Sequence, residues 1–349
     1  MYKHENYIRR CIALAQNGLG NTYPNPMVGS VLVHKDTIIG EGWHQKAGEA
    51  HAEVHAIHNV KEQSLLKKAT IYVSLEPCSH FGKTPPCAEL IIAKKIPKVV
   101  IGCLDPNDKV AGRGVKKLLE AGCQVIVGVL EEECRNLNKR FFTYHIKKRP
   151  YILLKWAETG DGFIAPASQE TGKPIWITNL FSKQLVHQWR SEEQAILVGA
   201  TTAIKDNPQL NVRLWEGNNP VRVVMDKSLR LSGDSFLLDK TSKTIVLTSK
   251  ENVKNKNASE NLLFETIDFE RDVPKQICNL LYRHQIQSVI IEGGSKTLQS
   301  FIDANLWDEA RVFRGETVFG IGVKGPVFRG KKISEEKINS DILTTYTND

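Results

Sequence analysis

Apolar positions along the chain follow two rhythms. Residues 28–33, 37–42, 70–75, 98–103 and 124–128 form short apolar runs rich in Val and Ile. Such runs predict strands, most of them covered on both faces. Between them, residues 6–17, 52–60, 86–95 and 114–121 place apolar side chains at helical spacing. Gly18 closes the first of these helices, and His34-Lys35-Asp36 turns the first pair of strands. Beyond residue 150 the alternation resumes, with strands expected at 152–157, 195–198, 221–226, 244–247 and 288–291. Helices are expected at 181–191, 273–284 and 295–304. Strands alternating with helices predict α/β sheets with helices packed on their faces. The segment from Tyr144 to Pro150 is polar and basic, and an apolar run follows it. That composition shift predicts two domains, residues 1–145 and 146–349, each long enough to bury its own core.

Composition narrows the class. The chain is 41% hydrophobic and 25% charged, ordinary for a globular protein. No run approaches the ~18 apolar residues of a membrane span, so no membrane partner is expected. The first ten residues have no apolar signal core, so export is not expected and a cytoplasmic location is. The net charge of +8 is spread over both halves, without a basic run interleaved with aromatics. An anionic small substrate accounts for it as well as a nucleic acid would. Seven cysteines, an odd and scattered set, argue against a disulfide framework. They leave metal binding or catalysis for some and core packing for the rest.

The strongest chemical signal lies between His51 and Cys87. It reads His51-Ala52-Glu53, then Pro77-Cys78, then Pro86-Cys87. One His and two Cys suit zinc, and three protein ligands leave one position for water, as a catalytic site requires. Glu53 is then the proton carrier rather than a ligand. Positions i and i+2 of a helix point ~200° apart, so His51 and Glu53 converge only if His51 sits at a helix start. Pro before each Cys predicts that both thiolates sit near helix N-termini, where the dipole favours the thiolate. The alternative is a structural zinc site, which would ordinarily hold four protein ligands.

H-x-E followed by paired Pro-Cys resembles the zinc-dependent nucleobase and nucleoside deaminases, whose signature ends in P-C-x-x-C. Here eight residues, Ser79 to Pro86, separate the cysteines instead of two. That insertion, in EPCSHFGKTPPC, resembles the deaminase domain of the bifunctional riboflavin-biosynthesis deaminase–reductases. So do TYPNPMVG, GWHQKAGEAHAE and LDPNDKVAGRG. The resemblance implies a cytidine-deaminase-like α/β fold and a substrate pocket. In it Asn25 binds the pyrimidine. His44, His80, Lys83 and Thr84 contact base, ribose or phosphate, and Asp105 and Asn107 line the same cleft. The plainer alternatives are a turn residue for Asn25, solvated charge for Lys83 and a loop histidine for His80.

The second half says less by residues alone. Glu292-Gly293-Gly294-Ser295 joins a strand to a helix and suits a phosphate. Gly320-x-Gly322-x-x-Gly325 matches a dinucleotide fingerprint by letter, but Pro326 follows it, so no Rossmann turn is expected there. LKWAETGDGFIA, PIWIT, VGATTAIKDNPQLNVR and IIEGGS resemble the reductase domain of the same family. This implies a dihydrofolate-reductase-like α/β domain that uses NADPH. Lys155, Asp206 and Glu292 then lie at the reaction centre, and Arg213 holds the substrate phosphate with Leu210 beside it. Ala157, Trp176, Thr202 and Asp206 contact NADPH. The backbone of Gly294, Ser295, Lys296, Thr297, Leu298, Gln299 and Ser300 takes its phosphates. The alternatives are a core aromatic for Trp176 and a surface ion pair for Arg213. Three positions depart from the family's habit: Met27 where Arg is usual after Pro-Asn-Pro, Thr159-Gly160 where Ser-Leu is usual, and Pro174 where a small polar residue is usual.

The reading that follows is a bifunctional enzyme of riboflavin synthesis. It deaminates 2,5-diamino-6-(5-phosphoribosylamino)pyrimidin-4-one with zinc-activated water, then reduces the ribosyl group to ribityl with NADPH. Its expected partners are that small phosphorylated substrate and further copies of the chain, not nucleic acid. A nucleic-acid base deaminase with an accessory domain is the main alternative, and a catalytically dead zinc module is the other. The long insertion between the cysteines disfavours the first, and the intact Glu53 disfavours the second.

Overall fold

The computed structural model of the chain describes residues 2–79, 85–107, 111–168, 175–249 and 259–348. It divides into two compact units, Met1–Lys148 and Arg149–Asp349. Among the described residues no helix is long and apolar enough to cross a membrane.

The first unit is built on a five-stranded sheet. In order it holds Thr37–Trp43, Gly29–His34, Thr70–Leu75, Lys98–Cys103 and Gln124–Val127. Gly29–His34 runs antiparallel to both its neighbours, and the last three strands are parallel. Alternation along these strands splits the core into two layers. Leu32, Ile71, Val73, Val99 and Ile101 pack on one face with helices Ala52–His58, Cys87–Ala93 and Arg113–Glu120. Val31, Val33, Tyr72 and Val100 pack on the other with Ile8, Cys11 and Leu14 of helix Tyr2–Gln16 and with Phe141 and Phe142. Covering both faces is why the strands read as nearly unbroken apolar runs.

The second unit has a nine-stranded sheet. Seven strands are parallel: Leu262–Thr266, Thr244–Thr248, Val221–Met225, Ala195–Gly199, Ser288–Ile291, Tyr151–Glu158 and Glu309–Arg314, in that order. Asp341–Thr347 and Lys331–Ile338 extend it antiparallel. Helix Leu180–Glu192 packs on the layer holding Leu153, Ile196, Val198 and Ile290, through Val186 and Trp189. Val273–Arg283 and Ser295–Asp303 pack on the opposite layer.

The structure differs from the sequence pattern at the domain boundary and in elements the pattern did not predict, among them strands Leu262–Thr266, Glu309–Arg314, Lys331–Ile338 and Asp341–Thr347 and helices Glu131–Leu137 and Ala200–Asp206. Helix Lys139–Lys147 runs past the expected boundary at residue 145, and the chain leaves it through Lys148, whose φ is +54°. The segment looks polar because its apolar anchors, Phe141 and Phe142, lie before it while its later residues are largely outside the core. Lys331–Ile338 is a largely exposed edge strand rich in Lys and Glu. Only Ile338 at its end packs on the core, so it shows no apolar periodicity, and its charges guard an open sheet edge. The Gly320 to Gly325 glycines lie around the short strand Gly322–Lys324, which pairs with Phe163–Pro166 and opens no helix.

Candidate functional site

His51 is the N-cap of helix Ala52–His58, with extended backbone at φ −77° and ψ 165°. That single non-helical residue turns its ring to the side on which Glu53 lies, which two helical residues at i and i+2 would not allow. Cys87 opens helix Cys87–Ala93, with Pro86 as its N-cap. Cys78 does not sit in a helical turn, contrary to the expectation from Pro77; it lies in irregular chain after strand Thr70–Leu75. It still gains from the helix, because the backbone N–H of Cys87 donates to its Sγ at 3.3 Å.

His51 Nδ1 stands 3.5 Å from Cys78 Sγ and 3.3 Å from Cys87 Sγ. Two ligands bound at ~2.0 and ~2.3 Å to one tetrahedral ion lie roughly 3.5 Å apart. The donor set and its spacing therefore fit zinc, with three donors in the cluster among the described residues. The Cys87 hydrogen bond and, against burial, the His51 ring push the Cys78 thiol down to about 4. Cys87, which donates that bond and is buried, is raised. Glu53 is 3% exposed and hydrogen-bonded to Cys87. Burial, with Cys78 adding, raises its carboxyl to about 6.

Asn25 and His44 adjoin this cluster. His44 stacks edge-on to His51, with ring centroids 5.3 Å apart. Its Nδ1 is 3.0 Å from the carbonyl of Ala50, so that nitrogen carries the proton. Its Nε2 then accepts from Asn25 Nδ2 at 3.1 Å. Burial lowers the His44 pKa, so the ring stays neutral. Asp105 is buried and raised to about 6 by that burial, and its Oδ1 accepts the N–H of Asn107 at 2.7 Å. His80, Lys83 and Thr84 lie outside the described residues, as does Pro174. Met27 is buried, and Asn138 binds both its N–H and its carbonyl at 2.8 Å. An apolar side chain suits that covered position.

Glu76 escapes a motif search for chemistry. Its buried carboxylate accepts the N–H groups of Asp105, Gly112, Gly114 and Val115, at 2.9 to 3.3 Å. It thereby ties the strand that leads to Cys78 to the loop bearing Asp105. The one available signal was an acid at the end of an apolar strand. Glu76→Gln turns one acceptor oxygen into a donor facing N–H groups. It is expected to cost ~2–3 kcal/mol of stability, read as an earlier thermal transition of the first unit. An unchanged transition would show that these bonds do not hold the loop.

In the second unit, Glu292 follows strand Ser288–Ile291 and its N–H bonds Leu197. Its carboxylate takes a two-pronged bond from Arg190, Nε at 3.1 Å and Nη2 at 2.7 Å. Burial opposes ionisation, but Arg190 and then Lys155 hold Glu292 down at about 2. Lys155 projects from strand Tyr151–Glu158, its own pKa lowered by burial with Glu292 opposing. Arg190 was not singled out from the sequence, where it is one of two cations, with Lys183, on an amphipathic helix. Asp206 ends helix Ala200–Asp206 and is half-buried. Leu210 is buried with φ +51°. The Arg213 guanidinium bonds the side chains of Gln209 and Asn211. Trp176 is 54% exposed, with Lys183 Nζ over its ring. Ala157 is half-buried on the face of the sheet that carries Leu153.

Gly294 caps helix Ser295–Asp303 with φ +74° and no side-chain cap, so the first amides of that helix are open to an anion. A Cβ on Gly293 would fall 3.1 Å from Thr202 Cγ2, and one on Gly199 would fall 2.8 Å from Thr297 Oγ1. Close packing against Thr202 and Thr297 thus requires glycine where two neighbouring parallel strands end, beside the open amides of that helix, a strand-to-helix turn that suits a dinucleotide's phosphates. Thr159 is buried, and its hydroxyl bonds Asp161 and accepts the N–H of Phe163. It keeps a hydroxyl at the position where Ser was the expected residue.

A family model described as the cytidine and deoxycytidylate deaminase zinc-binding region matches residues 1–103. One described as the RibD C-terminal domain matches residues 150–349. The riboflavin biosynthesis protein RibD of Aquifex aeolicus is 42% identical, over 91% of this chain and 88% of its own. The chain belongs to the RibD family. RibD of Escherichia coli is 36% identical over 92% of this chain and 90% of its own. A Thermotoga maritima crystal structure of a diaminohydroxyphosphoribosylaminopyrimidine deaminase/5-amino-6-(5-phosphoribosylamino)uracil reductase superposes with a TM-score of 0.89. It is 39% identical and covers 100% of this chain and 99% of its own. RibD of Acinetobacter baumannii gives 0.89 at 33% identity, covering 100% of this chain and 99% of its own. As a member of the RibD family the chain is a bifunctional enzyme of riboflavin biosynthesis, a deaminase with a zinc-binding region joined to a reductase. The match runs through both units, which removes the nucleic-acid deaminase with an accessory domain.

Proposed function

We propose that the first unit deaminates 2,5-diamino-6-(5-phosphoribosylamino)pyrimidin-4-one and that the second reduces the ribosyl group of the product to ribityl with NADPH. The observation that carries the reading is the His51, Cys78 and Cys87 cluster with buried Glu53 beside it. When bound there, zinc makes water acidic enough to attack at neutral pH. The Glu53 carboxylate takes a proton from the attacking water and delivers it to the departing amine. A ring C–N bond is exchanged for C–O, and ammonia leaves. A carboxyl near 6 suits a group that must both take and return a proton. Asn25 and His44 orient the pyrimidine, with His80, Lys83, Thr84, Asp105 and Asn107 completing the pocket.

In the second unit Lys155, Asp206 and Glu292 face the reacting sugar, and Arg213 takes the substrate phosphate beside Leu210. Ala157, Trp176, Thr202 and Asp206 contact the cofactor, and the backbone of residues 294–300 takes its phosphates. When bound, NADPH supplies the hydride that opens the ring. Lys155 and Arg190 keep Glu292 ionised, so a fixed negative charge lies where the opening sugar needs a steadying partner.

The test uses the purified protein and the diaminopyrimidine phosphate. Elemental analysis should find about one zinc per chain. Ammonia should appear without any nicotinamide cofactor, and NADPH absorbance should fall once deaminated product is present, faster than with NADH. Absence of zinc, or NADPH loss without prior deamination, would overturn the scheme.

A further inference from the structure

His187 is a buried, titratable group for which the chemistry above has no use. It lies on helix Leu180–Glu192 at 2% exposure, and its Nδ1 accepts the backbone N–H of Arg213 at 3.0 Å. Three residues further along the helix, Arg190 donates Nη1 to the carbonyl of Asn211 at 3.3 Å. The same guanidinium holds Glu292. One helix therefore grips the chain at residues 211 and 213 by two backbone groups of opposite kind.

That stretch of chain needs holding. Asn207 and Leu210 have φ of +39° and +51°. Left-handed backbone at a residue with a side chain costs ~1–2 kcal/mol, and surrounding contacts must impose it. The Arg213 guanidinium donates to the side chains of Gln209 and Asn211, its partners among the described residues and both in this stretch, so its aim depends on the backbone beneath it. Burial, with Arg190 and Arg213 adding, lowers His187 to about 4. At neutral pH the ring is uncharged, Nδ1 keeps its lone pair, and the proton resides on Nε2.

We propose that His187 is a positioning residue for the anionic end of the reductase substrate. By fixing the backbone at Arg213 it aims the guanidinium at a phosphate monoester, while Arg190, bonded to both Asn211 and Glu292, ties the same stretch to Glu292. The proposal rests on the reading of Arg213 as the phosphate anchor.

The test compares the full-length His187→Leu, His187→Asn, His187→Gln and Arg213→Ala enzymes. Steady-state NADPH oxidation is measured on the deaminated substrate and on its dephosphorylated form. Calorimetry gives the Kd of the phosphorylated form without cofactor. Loss of one such hydrogen bond should raise KM and Kd for the phosphorylated form ~10-fold. In His187→Leu, kcat and the dephosphorylated substrate should hardly change. His187→Asn, with an acceptor near the Nδ1 position, should recover most of the affinity. His187→Gln places its acceptor near the Nε2 position and should not, and this pair decides the matter if the Leu variant fails to fold. A normal Kd in His187→Leu and His187→Gln while Arg213→Ala weakens binding overturns the proposal and leaves the anchor standing. A normal Kd in Arg213→Ala overturns the anchor itself. Equal losses on both substrates mark a merely structural histidine and overturn the positioning role.

Discussion

Glu53→Gln is expected to lower ammonia release by at least ~10²-fold while zinc content stays at the wild-type level. The two side chains have the same shape, and Glu53 is buried beside Cys87 rather than within the donor cluster. The amide neither takes a proton from water nor returns one to the departing amine. Substitution also replaces a buried ionisable group with a neutral one, so stability should not suffer through an unpaired charge. Reduction of supplied deaminated substrate belongs to the other unit and should remain within a few fold. Near-normal ammonia release would mean that Glu53 is not the proton carrier. Loss of zinc together with activity would make it part of the metal's support instead.

Arg190→Met is expected to have the largest effect in the second unit. The Arg190–Glu292 pair is only 11% and 8% exposed at its side chains. Removing one partner of a buried pair strands the other charge, at ~3–5 kcal/mol. For a domain of this size that corresponds to roughly 10 °C in the thermal midpoint. NADPH oxidation should fall ~10²-fold as Glu292 loses its fixed position, with ammonia release nearly unchanged. The pH dependence gives an independent reading. Glu292 is held at about 2 when folded, below the ~4.3 of a free glutamate. Its folded pKa is depressed, so its contribution is complete above ~4.3 and is lost as pH falls toward ~2. In Arg190→Met the carboxyl rises and this acid limb flattens. Adding Glu292→Gln should restore part of the lost stability, because the buried carboxylate deprived of Arg190 is then gone; the restoration is partial because Lys155 loses its counter-charge. A double variant no more stable than the single one would show that the pair is not the source of the loss.

The sequence alone determined much of the alternation of strands and helices, the donor set of the candidate metal site and the family. Those features are local, or carried by spacing. A strand covered on both faces must be apolar throughout, and His51-x-Glu53 needs only one extended residue at a helix start to bring both side chains to one place. Only the tertiary structure decided the rest. Arg190 and Glu292 lie 102 residues apart and meet because Ala195–Gly199, which follows the helix of Arg190, pairs with Ser288–Ile291, which ends at Glu292. Glu76 gains its four N–H partners because Thr70–Leu75 lies beside Lys98–Cys103, so the chain beyond both strands returns to one carboxylate. His187 faces Arg213 only because a loop with left-handed residues folds back on its helix. Hydrophobic periodicity reports which side of an element is buried. It does not report which element lies opposite, and at these sites the opposite element supplies the partner.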